Sequence, residues 1–138
     1  MVNPRRTGRK ARNGIYRSGF ESKFASSLEA NGLTAEYETD RIKYTQPSCE
    51  RTYTPDWKIK PGVYIETKGR FTGADRKKML WLRESNPDIT VYMLFMRSDV
   101  TLSKSSKTTY GDWCDKQKPP IQWADIRDHR KWKGWFKE

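Results

Sequence analysis

The amino-acid sequence predicts an α/β fold in which helices flank a mixed β-sheet, with elements in the order α-β-β-β-α-β-α. Three stretches support this prediction. Residues 18–31 repeat apolar side chains at helical spacing, residues 52–69 contain two β-rich runs separated by Pro61-Gly62, and residues 89–96 are almost continuously apolar. A length of 138 residues suits one domain with a modest core.

The first helix has clear start and stop signals. Ser18 is a good N-cap, and Glu21 three residues later completes a capping box, which gives Glu21 a structural explanation. Asn31-Gly32 supplies the stop. Apolar residues at i, i+4 and i+8 predict one buried stripe, formed by Phe20, Phe24 and Leu28.

Residues 33–44 alternate apolar and polar side chains and predict one long strand or two short ones. Glu36 and Glu38 fall on the polar face, where we expect them to be solvated. Residues 46–50 then form either a loop or an extended bridge. Pro47 favours an extended conformation and opposes a tight hairpin back onto the same chain.

Two carboxylates and an ammonium converge at the hairpin predicted for residues 52–69. If its loop is the three residues 60–62, with Gly62 free to adopt a positive φ, Asp56 falls directly opposite Glu66. The side chains of such a pair lie about 5 Å apart. Alternation along the second strand places Lys68 on the same face as Glu66. This arrangement indicates a divalent-metal site with a cation beside it.

These three side chains suit phosphodiester cleavage. Mg²⁺ prefers hard oxygen ligands and keeps several waters, so two carboxylates and substrate phosphate oxygens suffice. The metal can generate hydroxide, and Lys68 would orient the attacking water or stabilise charge on the phosphate. The alternative is a solvated hairpin face, because a Glu-x-Lys triplet arises easily where 33% of residues are charged.

The second half of the chain adds two helices and a strand. A helix is predicted over residues 75–85, a strand buried on both faces over residues 89–96, and a short helix capped by Thr109 over residues 110–116. Residues 127–138 form a basic aromatic tail that either stacks on bases or packs back on the domain.

The net charge of +11 points to a polyanionic partner, nucleic acid first and an anionic membrane surface second. Residues 1–17 predict a flexible basic arm that contacts phosphates without reading sequence. We expect phosphate contacts from the arm, from the second helix and from the loop at residues 102–109, through Arg5, Arg6, Arg9, Lys10, Arg12, Arg17, Arg76, Lys77, Lys78, Lys104 and Lys107.

No apolar run approaches the length of a membrane span or a signal-peptide core, so we expect a cytoplasmic protein without a membrane partner.

Cys49 and Cys114 form no CxxC pattern, and His129 is the single histidine, so no zinc site is expected. Two isolated thiols suit a reducing cytoplasm, and a disulfide between them stays open.

Five segments follow one another along the chain: YRSGFE at residues 16–21, TYTPD at 52–56, ETKG at 66–69, DRKK at 75–78 and TTYGDWCDK at 108–116. Taken in order, these motifs resemble those of the bacteriophage endonuclease I family of Holliday-junction-resolving enzymes, within the PD-(D/E)xK nuclease superfamily. The resemblance covers residues 15–124 and leaves the arm and the tail unmatched.

The resemblance implies a restriction-endonuclease-like domain over residues 18–126 and a Mg²⁺-dependent endonuclease that resolves four-way junctions and other branched DNA. Asp56, Glu66 and the backbone carbonyl of Thr67 would be metal ligands. Lys68 would assist the attacking water, and Glu21 would complete the acidic cluster, which overrides its reading as a cap alone. Two ions per site and activity with Mn²⁺ are also implied, in the cytoplasm of a phage-infected host.

Members of this family are domain-swapped homodimers with an extended bridge between two active sites, and residues 46–50 of this chain occupy the corresponding position. Each active site would then take Glu21 from one chain and Asp56, Glu66 and Lys68 from the other. Two alternatives stay open: a restriction-like or mismatch-nicking endonuclease on linear duplex, and a non-catalytic basic nucleic-acid-binding protein. The second does not explain two facing carboxylates in a surface built to bind phosphate. The segments at residues 70–72 and after Asp125 depart from the family pattern.

Overall fold

The computed structural model describes residues 16–46 and 49–137. The chain divides into two compact units, Met1–Ala35 and Glu36–Glu138. The described part of the first unit contains helix α1 (Gly19–Ala30). The second contains, in chain order, β1 (Glu36–Tyr37), β2 (Ile42–Gln46), β3 (Cys49–Tyr53), β4 (Trp57–Lys60), β5 (Val63–Lys68), α2 (Gly73–Ser85), β6 (Thr90–Phe95), α3 (Tyr110–Asp115), β7 (Trp123–Asp125), α4 (His129–Lys133) and a 3₁₀ turn (Gly134–Phe136).

Helix α1 begins and ends as predicted, with N-cap Ser18 and C-cap Asn31. Its buried stripe is confirmed as Phe20, Phe24 and Leu28. The predicted capping box is only half formed. The Ser18 hydroxyl accepts the backbone N–H of Glu21 at 3.0 Å, but the Glu21 carboxylate accepts the N–H of Arg17, also at 3.0 Å, instead of that of Ser18.

A five-stranded mixed sheet in the order β1-β4-β5-β6-β7 organises the second unit. The pairs β1–β4 and β4–β5 are antiparallel, whereas β5–β6 and β6–β7 are parallel. The predicted α/β class with a mixed sheet flanked by helices is therefore confirmed. The predicted order of elements omitted β3, β7 and α4, and residues 33–44 form two short strands.

Strands β2 and β3 form a separate two-stranded antiparallel sheet within one chain. Their register runs from Ile42↔Tyr53 to Gln46↔Cys49. The interpretation that Pro47 opposes such pairing is wrong for the single chain, because five residue pairs outweigh a local preference of one residue. The C-terminal end of α2 fixes β2, since the Asn86 amide donates to the Lys43 carbonyl at 2.8 Å.

The register of β4 with β5 is as predicted, although the loop differs. Lys60 pairs with Val63, so the loop is the two residues Pro61-Gly62, with Gly62 at φ +80°. A β-bulge between Lys58 and Lys60 inserts one residue, and the register beyond it becomes Trp57↔Ile65. A bulge after a two-residue loop thus produces the alignment expected from a three-residue loop.

The second half of strand β6, residues 93–95, is buried on both faces, as the continuous apolar run predicts. Met93 and Phe95 lie on one face and join the main core with Leu82 of α2 and Tyr110 of α3. The rings of Phe95 and Tyr110 have centroids 5.5 Å apart. Because β5 pairs with β6 in parallel register, Glu66 and Lys68 lie on this same face of the sheet.

The aromatic tail packs back on the sheet, the second of the two alternatives left open by the sequence. Trp132 is fully buried, and its indole N–H donates to the Ile126 carbonyl at 3.1 Å. Trp135 stacks on Tyr92, on the opposite face of β6 from Met93, with ring centroids 4.4 Å apart. Neither tryptophan is thus presented to a base.

Both thiols are free in this structure: Cys49 is exposed and Cys114 is buried. Burial raises the pKa of the Cys114 thiol to about 12, so it is inert as a nucleophile or a metal ligand.

Among the described residues, no helix combines the length and the apolar character needed to cross a bilayer.

Gly111 in α3 has no room for a side chain. An added Cβ would lie 2.5 Å from Cζ2 of Trp123. We expect Gly111→Ala to lower the free energy of unfolding by about 1–3 kcal/mol, the usual cost of overpacking. Gly134→Ala is the matched control, because its φ of −60° suits alanine and its Cβ meets none of the described atoms within 4 Å. Urea unfolding in which Gly111→Ala is as stable as wild type would refute this packing.

Candidate active site

The two carboxylates predicted to bind a metal, Asp56 and Glu66, come from the beginning of β4 and the end of β5, which are paired strands. Asp56 directly precedes β4, and Glu66 and Lys68 project from the carboxyl end of β5. Asp56 and Glu66 are each only 1% exposed. Carboxylates are almost never buried to this degree without partners. The partners of these two carboxylates therefore determine which chemistry the site can support.

Asp56 is held by Thr67. Its Oδ2 accepts the backbone N–H of Thr67 at 3.0 Å and the Thr67 hydroxyl at 2.7 Å. An extended residue directs its N–H and its C=O to the same side, so the Thr67 carbonyl also faces the Asp56 side of β5. The register of β4 and β5, continued past Trp57, brings Pro55 level with Thr67. A proline has no N–H to donate to that carbonyl.

Glu66 is held at both oxygens. Its Oε1 accepts a hydrogen bond from the Tyr53 hydroxyl. Its Oε2 lies 3.5 Å from the ammonium of Lys68. Tyr53 comes from the end of β3, and its ring is fully buried. The orientation of this carboxylate is therefore set by two different strands.

Lys68 lies between Glu66 and the first turn of α2, where its ammonium is 3.2 Å from Asp75 Oδ1. Asp75 is itself fixed by a capping box, because its Oδ2 accepts the N–H of Thr72 at 3.0 Å. Burial alone would lower the pKa of Lys68, but the neighbouring carboxylates, Glu66 foremost, raise it above its ordinary value. Burial would likewise raise the pKa of Asp75, but Lys68 and Thr72 hold it below. The ammonium is thus a fixed positive charge.

Glu38 is a site neighbour that the sequence analysis missed. It is half-buried rather than merely solvated, whereas Glu36 is exposed as expected. The backbone N–H of Glu38 donates to the Asp56 carbonyl at 2.9 Å, and a Glu38 carboxylate oxygen lies within 4.8 Å of one of Asp56. Glu38 also has a φ of +51°, which is uncommon for a residue with a side chain.

Two other contacts of this site were not expected from the sequence. Tyr53 appeared only as a β-forming aromatic, and Asp75 only as an acidic residue that starts a helix. The sequence did offer one signal for these two residues, because Tyr53 lies within the TYTPD segment and Asp75 within the DRKK segment that carry the family resemblance. Neither the pairing of Tyr53 with Glu66 nor that of Asp75 with Lys68 follows from local spacing.

Glu21 belongs to the first unit and is described there. It is buried in α1, where its carboxylate accepts the backbone N–H of Arg17 at 3.0 Å. Among the predicted phosphate contacts, Arg5, Arg6, Arg9, Lys10 and Arg12 lie outside the described residues.

The remaining basic side chains differ in how far they are engaged. Lys77, Lys104 and Lys107 are exposed, whereas Arg17 is half-buried. The Arg76 guanidinium donates to the Phe71 carbonyl at 2.7 Å, and the Lys78 ammonium lies over the ring of Tyr53. Only the first group is therefore fully presented to solvent.

A second buried carboxylate, Asp125 at the end of β7, has a structural explanation. It accepts the backbone N–H and the hydroxyl of Ser98, and it forms an ion pair with Arg127. Burial would raise the pKa of Asp125, but the hydrogen bonds from Arg127 and Ser98 hold it well below its usual range. Asp125 joins the loop at residues 97–99 to the sheet. Its strand, β7, is separated from β5 by β6, so Asp125 lies apart from Asp56 and Glu66.

The donors at Asp56 and Glu66 fit a hard divalent cation. Two carboxylates and a backbone carbonyl are oxygen donors, which Mg²⁺ and Mn²⁺ prefer over nitrogen or sulfur. No histidine or cysteine adjoins them among the residues that the structure describes, so the donor set does not suit zinc. The site thus offers oxygen ligands with an ammonium alongside.

Comparison with known proteins finds phage endonucleases. The sequence model of the family described as phage endonuclease I matches residues 3–133. Endonuclease I of Escherichia phage T7 is 39% identical over 119 residues, which is 86% of this chain and 78% of the relative. Endodeoxyribonuclease 1 of Enterobacteria phage T3 is 43% identical over 101 residues, 73% of this chain and 66% of that protein.

Proposed function

Because this chain belongs to the phage endonuclease I family, we propose that it cuts four-way junctions and other branched DNA by Mg²⁺-dependent hydrolysis of phosphodiester bonds. Membership of the family makes the protein a nuclease; the junction and the metal are our proposal. The observation that supports it best is a pair of buried carboxylates, Asp56 and Glu66, beside Lys68 in a chain of net charge +11. Such acids would repel DNA unless a cation joined them.

Asp56 and Glu66 would hold the metal through carboxylate oxygens, and the Thr67 carbonyl would supply a third protein donor. A bound Mg²⁺ or Mn²⁺ lowers the pKa of a coordinated water and neutralises charge on the reacting phosphate. We propose two ions per site. The donors lie on or beside the paired strands β4 and β5, so they need little rearrangement during the reaction.

Lys68 would act through its charge. The neighbouring carboxylates raise the pKa of Lys68, which favours the charged ammonium as a donor of hydrogen bonds. It would orient the attacking water or stabilise the negative charge that develops on the phosphate. Its contacts with Glu66 and Asp75 restrict a long side chain to one direction, which reduces the entropy lost in the reaction.

DNA binding would rest mainly on phosphate contacts. Lys77, Lys104 and Lys107 are exposed on α2 and on the loop that follows β6, and the basic arm would add further contacts. Such contacts position the duplex without reading its sequence, and their strength falls as salt rises. Selectivity for branched DNA would then come from the shape of the substrate.

A homodimer is part of the proposal, because a four-way junction must be cut on two strands. A symmetric dimer holds two sites at a fixed separation. The ladder between β2 and β3 offers a route, since the same pairs form equally well between two chains that exchange residues 1–46. Each site would then combine Glu21 of one chain with Asp56, Glu66 and Lys68 of the other.

The direct test is a cleavage panel. Purified protein is incubated with a four-way junction, a linear duplex of the same arm sequence and a single strand, each with Mg²⁺ or with EDTA. We expect cutting of the junction with Mg²⁺, little cutting of the linear substrates, and none with EDTA.

Other outcomes identify the alternatives. Equal cutting of junction and linear duplex would favour a restriction-like or mismatch-nicking enzyme. Tight binding of all three DNAs without cleavage in Mg²⁺ or Mn²⁺ would favour a non-catalytic binding protein. Cleavage that persists in EDTA would refute the role given to the metal.

A further inference from the structure

Tyr53 lies at the end of β3, at the point where the two-stranded β2–β3 sheet meets the candidate active site. It is 1% exposed, and its hydroxyl donates to Oε1 of Glu66. A tyrosine hydroxyl buried to this extent normally requires a partner, and here the partner is a carboxylate of the site. The contact joins elements that are not neighbours in the main sheet.

The hydrogen bond restricts what Glu66 can do. Oε2 faces the Lys68 ammonium, and Oε1 accepts a hydrogen bond from the Tyr53 hydroxyl. Rotation of the carboxylate would therefore break one contact or the other. Hydrogen-bond partners of metal ligands orient the ligand and tune its basicity. A carboxylate held at Oε1 by a hydroxyl is directed to coordinate a cation through a defined lone pair rather than to rotate freely.

The ring of Tyr53 is fixed from a third element. The ammonium of Lys78, on α2, lies over the ring at 5.1 Å from its centroid, a distance suited to a cation–π contact. The same helix carries Asp75, which contacts Lys68. One helix thus supports the two groups that hold the Glu66 carboxylate from either side.

We propose that Tyr53 is a positioning residue for Glu66, whose hydroxyl orients that carboxylate for binding a divalent cation. The inference rests on the proposed function, because it gives Glu66 the role of a metal ligand. It assigns no chemical step to Tyr53, which acts through Glu66 alone.

Tyr64 provides a matched comparison within the same protein. It is also a buried tyrosine in the main core, and its hydroxyl also donates to a carboxylate, Asp40 Oδ2 at 2.8 Å. Its partner Asp40 also pairs with Lys58 and is not one of the proposed metal ligands. Tyr53→Phe and Tyr64→Phe therefore delete the same atom from similar surroundings, and only the first deletes it from the site.

The test compares Mn²⁺ binding by calorimetry, without DNA, in wild type, Tyr53→Phe and Tyr64→Phe. We expect Tyr53→Phe to bind Mn²⁺ about 10–100-fold more weakly, the usual cost of losing such a partner, and Tyr64→Phe to bind as wild type does. Cleavage by Tyr53→Phe should need correspondingly more Mg²⁺, while junction binding in EDTA is unchanged. Thermal unfolding should show similar small losses of stability in both variants.

A measurement on the unaltered chain keeps the proposal testable if Tyr53→Phe folds poorly. With all seven tyrosines labelled with ¹³C at Cζ, one resonance should shift on titration with Mg²⁺ and should not shift in Glu66→Gln. This inference, but not the proposed function, would be overturned if no tyrosine responds. It would also be overturned if folded Tyr53→Phe binds Mn²⁺ with wild-type affinity. A wild-type protein that neither binds Mn²⁺ nor cuts a junction would instead remove the proposed function.

Discussion

A Glu66→Gln protein is expected to lose junction cleavage almost completely while it binds junctions as tightly as wild type, or more tightly. The amide keeps the size of the side chain and removes one negative charge from a positively charged surface. Phosphate attraction therefore survives, but a ligand that would hold the metal is lost. The loss of rate should exceed the roughly 10–100-fold that removal of a partner of a metal ligand costs.

Three further variants sharpen this prediction. Asp56→Asn should behave as Glu66→Gln does. Lys68→Ala should lose rate but keep its affinity for the metal, because an ammonium is not a ligand. Glu36→Gln is the matched control, since Glu36 is an exposed glutamate of the same sheet and should keep full activity. Near-normal cutting by folded Glu66→Gln would remove Glu66 from the site.

Glu21→Gln and Asp56→Asn proteins, each inactive alone, are expected to regain nicking when they are unfolded together and refolded. In an exchanged heterodimer, one composite site joins the intact Glu21 of one chain to the intact Asp56 of the other. The second site carries both substitutions. The mixture should therefore nick a junction at the one intact site of each heterodimer and should not make paired cuts.

This result separates exchange from side-by-side association. If each chain built its own site, every site of the heterodimer would carry one substitution and the mixture would stay inactive. Tagging the two chains differently and purifying the doubly tagged species ensures that heterodimers are assayed. Inactive heterodimers would mean either that the chains share no site or that Glu21 serves only α1.

The central hairpin could be predicted from the sequence because its register depends on local information. The glycine in the loop and the alternation of β5 align Asp56 with Glu66 whether the extra residue lies in the loop or, as observed, in a bulge near Ile59. The apolar run of β6 likewise predicts burial on both faces. Such patterns repeat within a few residues and need no distant partner.

The contacts of Tyr53, Asp75 and Glu38 could not be predicted in this way. Each depends on where β3, α2 and β1 meet the carboxyl end of β5, and those elements are separated by many residues. Pro47 is the opposite case, where a valid local preference was outweighed by the β2–β3 ladder. Local propensity therefore locates the two strand ends of the site but not the side chains that hold its ligands.

The most direct test is the location of a bound cation. Crystals of the wild-type protein soaked in Mn²⁺ would be measured for anomalous scattering. We predict a peak within coordination distance, about 2.0–2.6 Å, of carboxylate oxygens of both Asp56 and Glu66. The peak should be absent from Glu66→Gln crystals treated identically. Mn²⁺ bound elsewhere, with neither carboxylate among its ligands, would contradict the account.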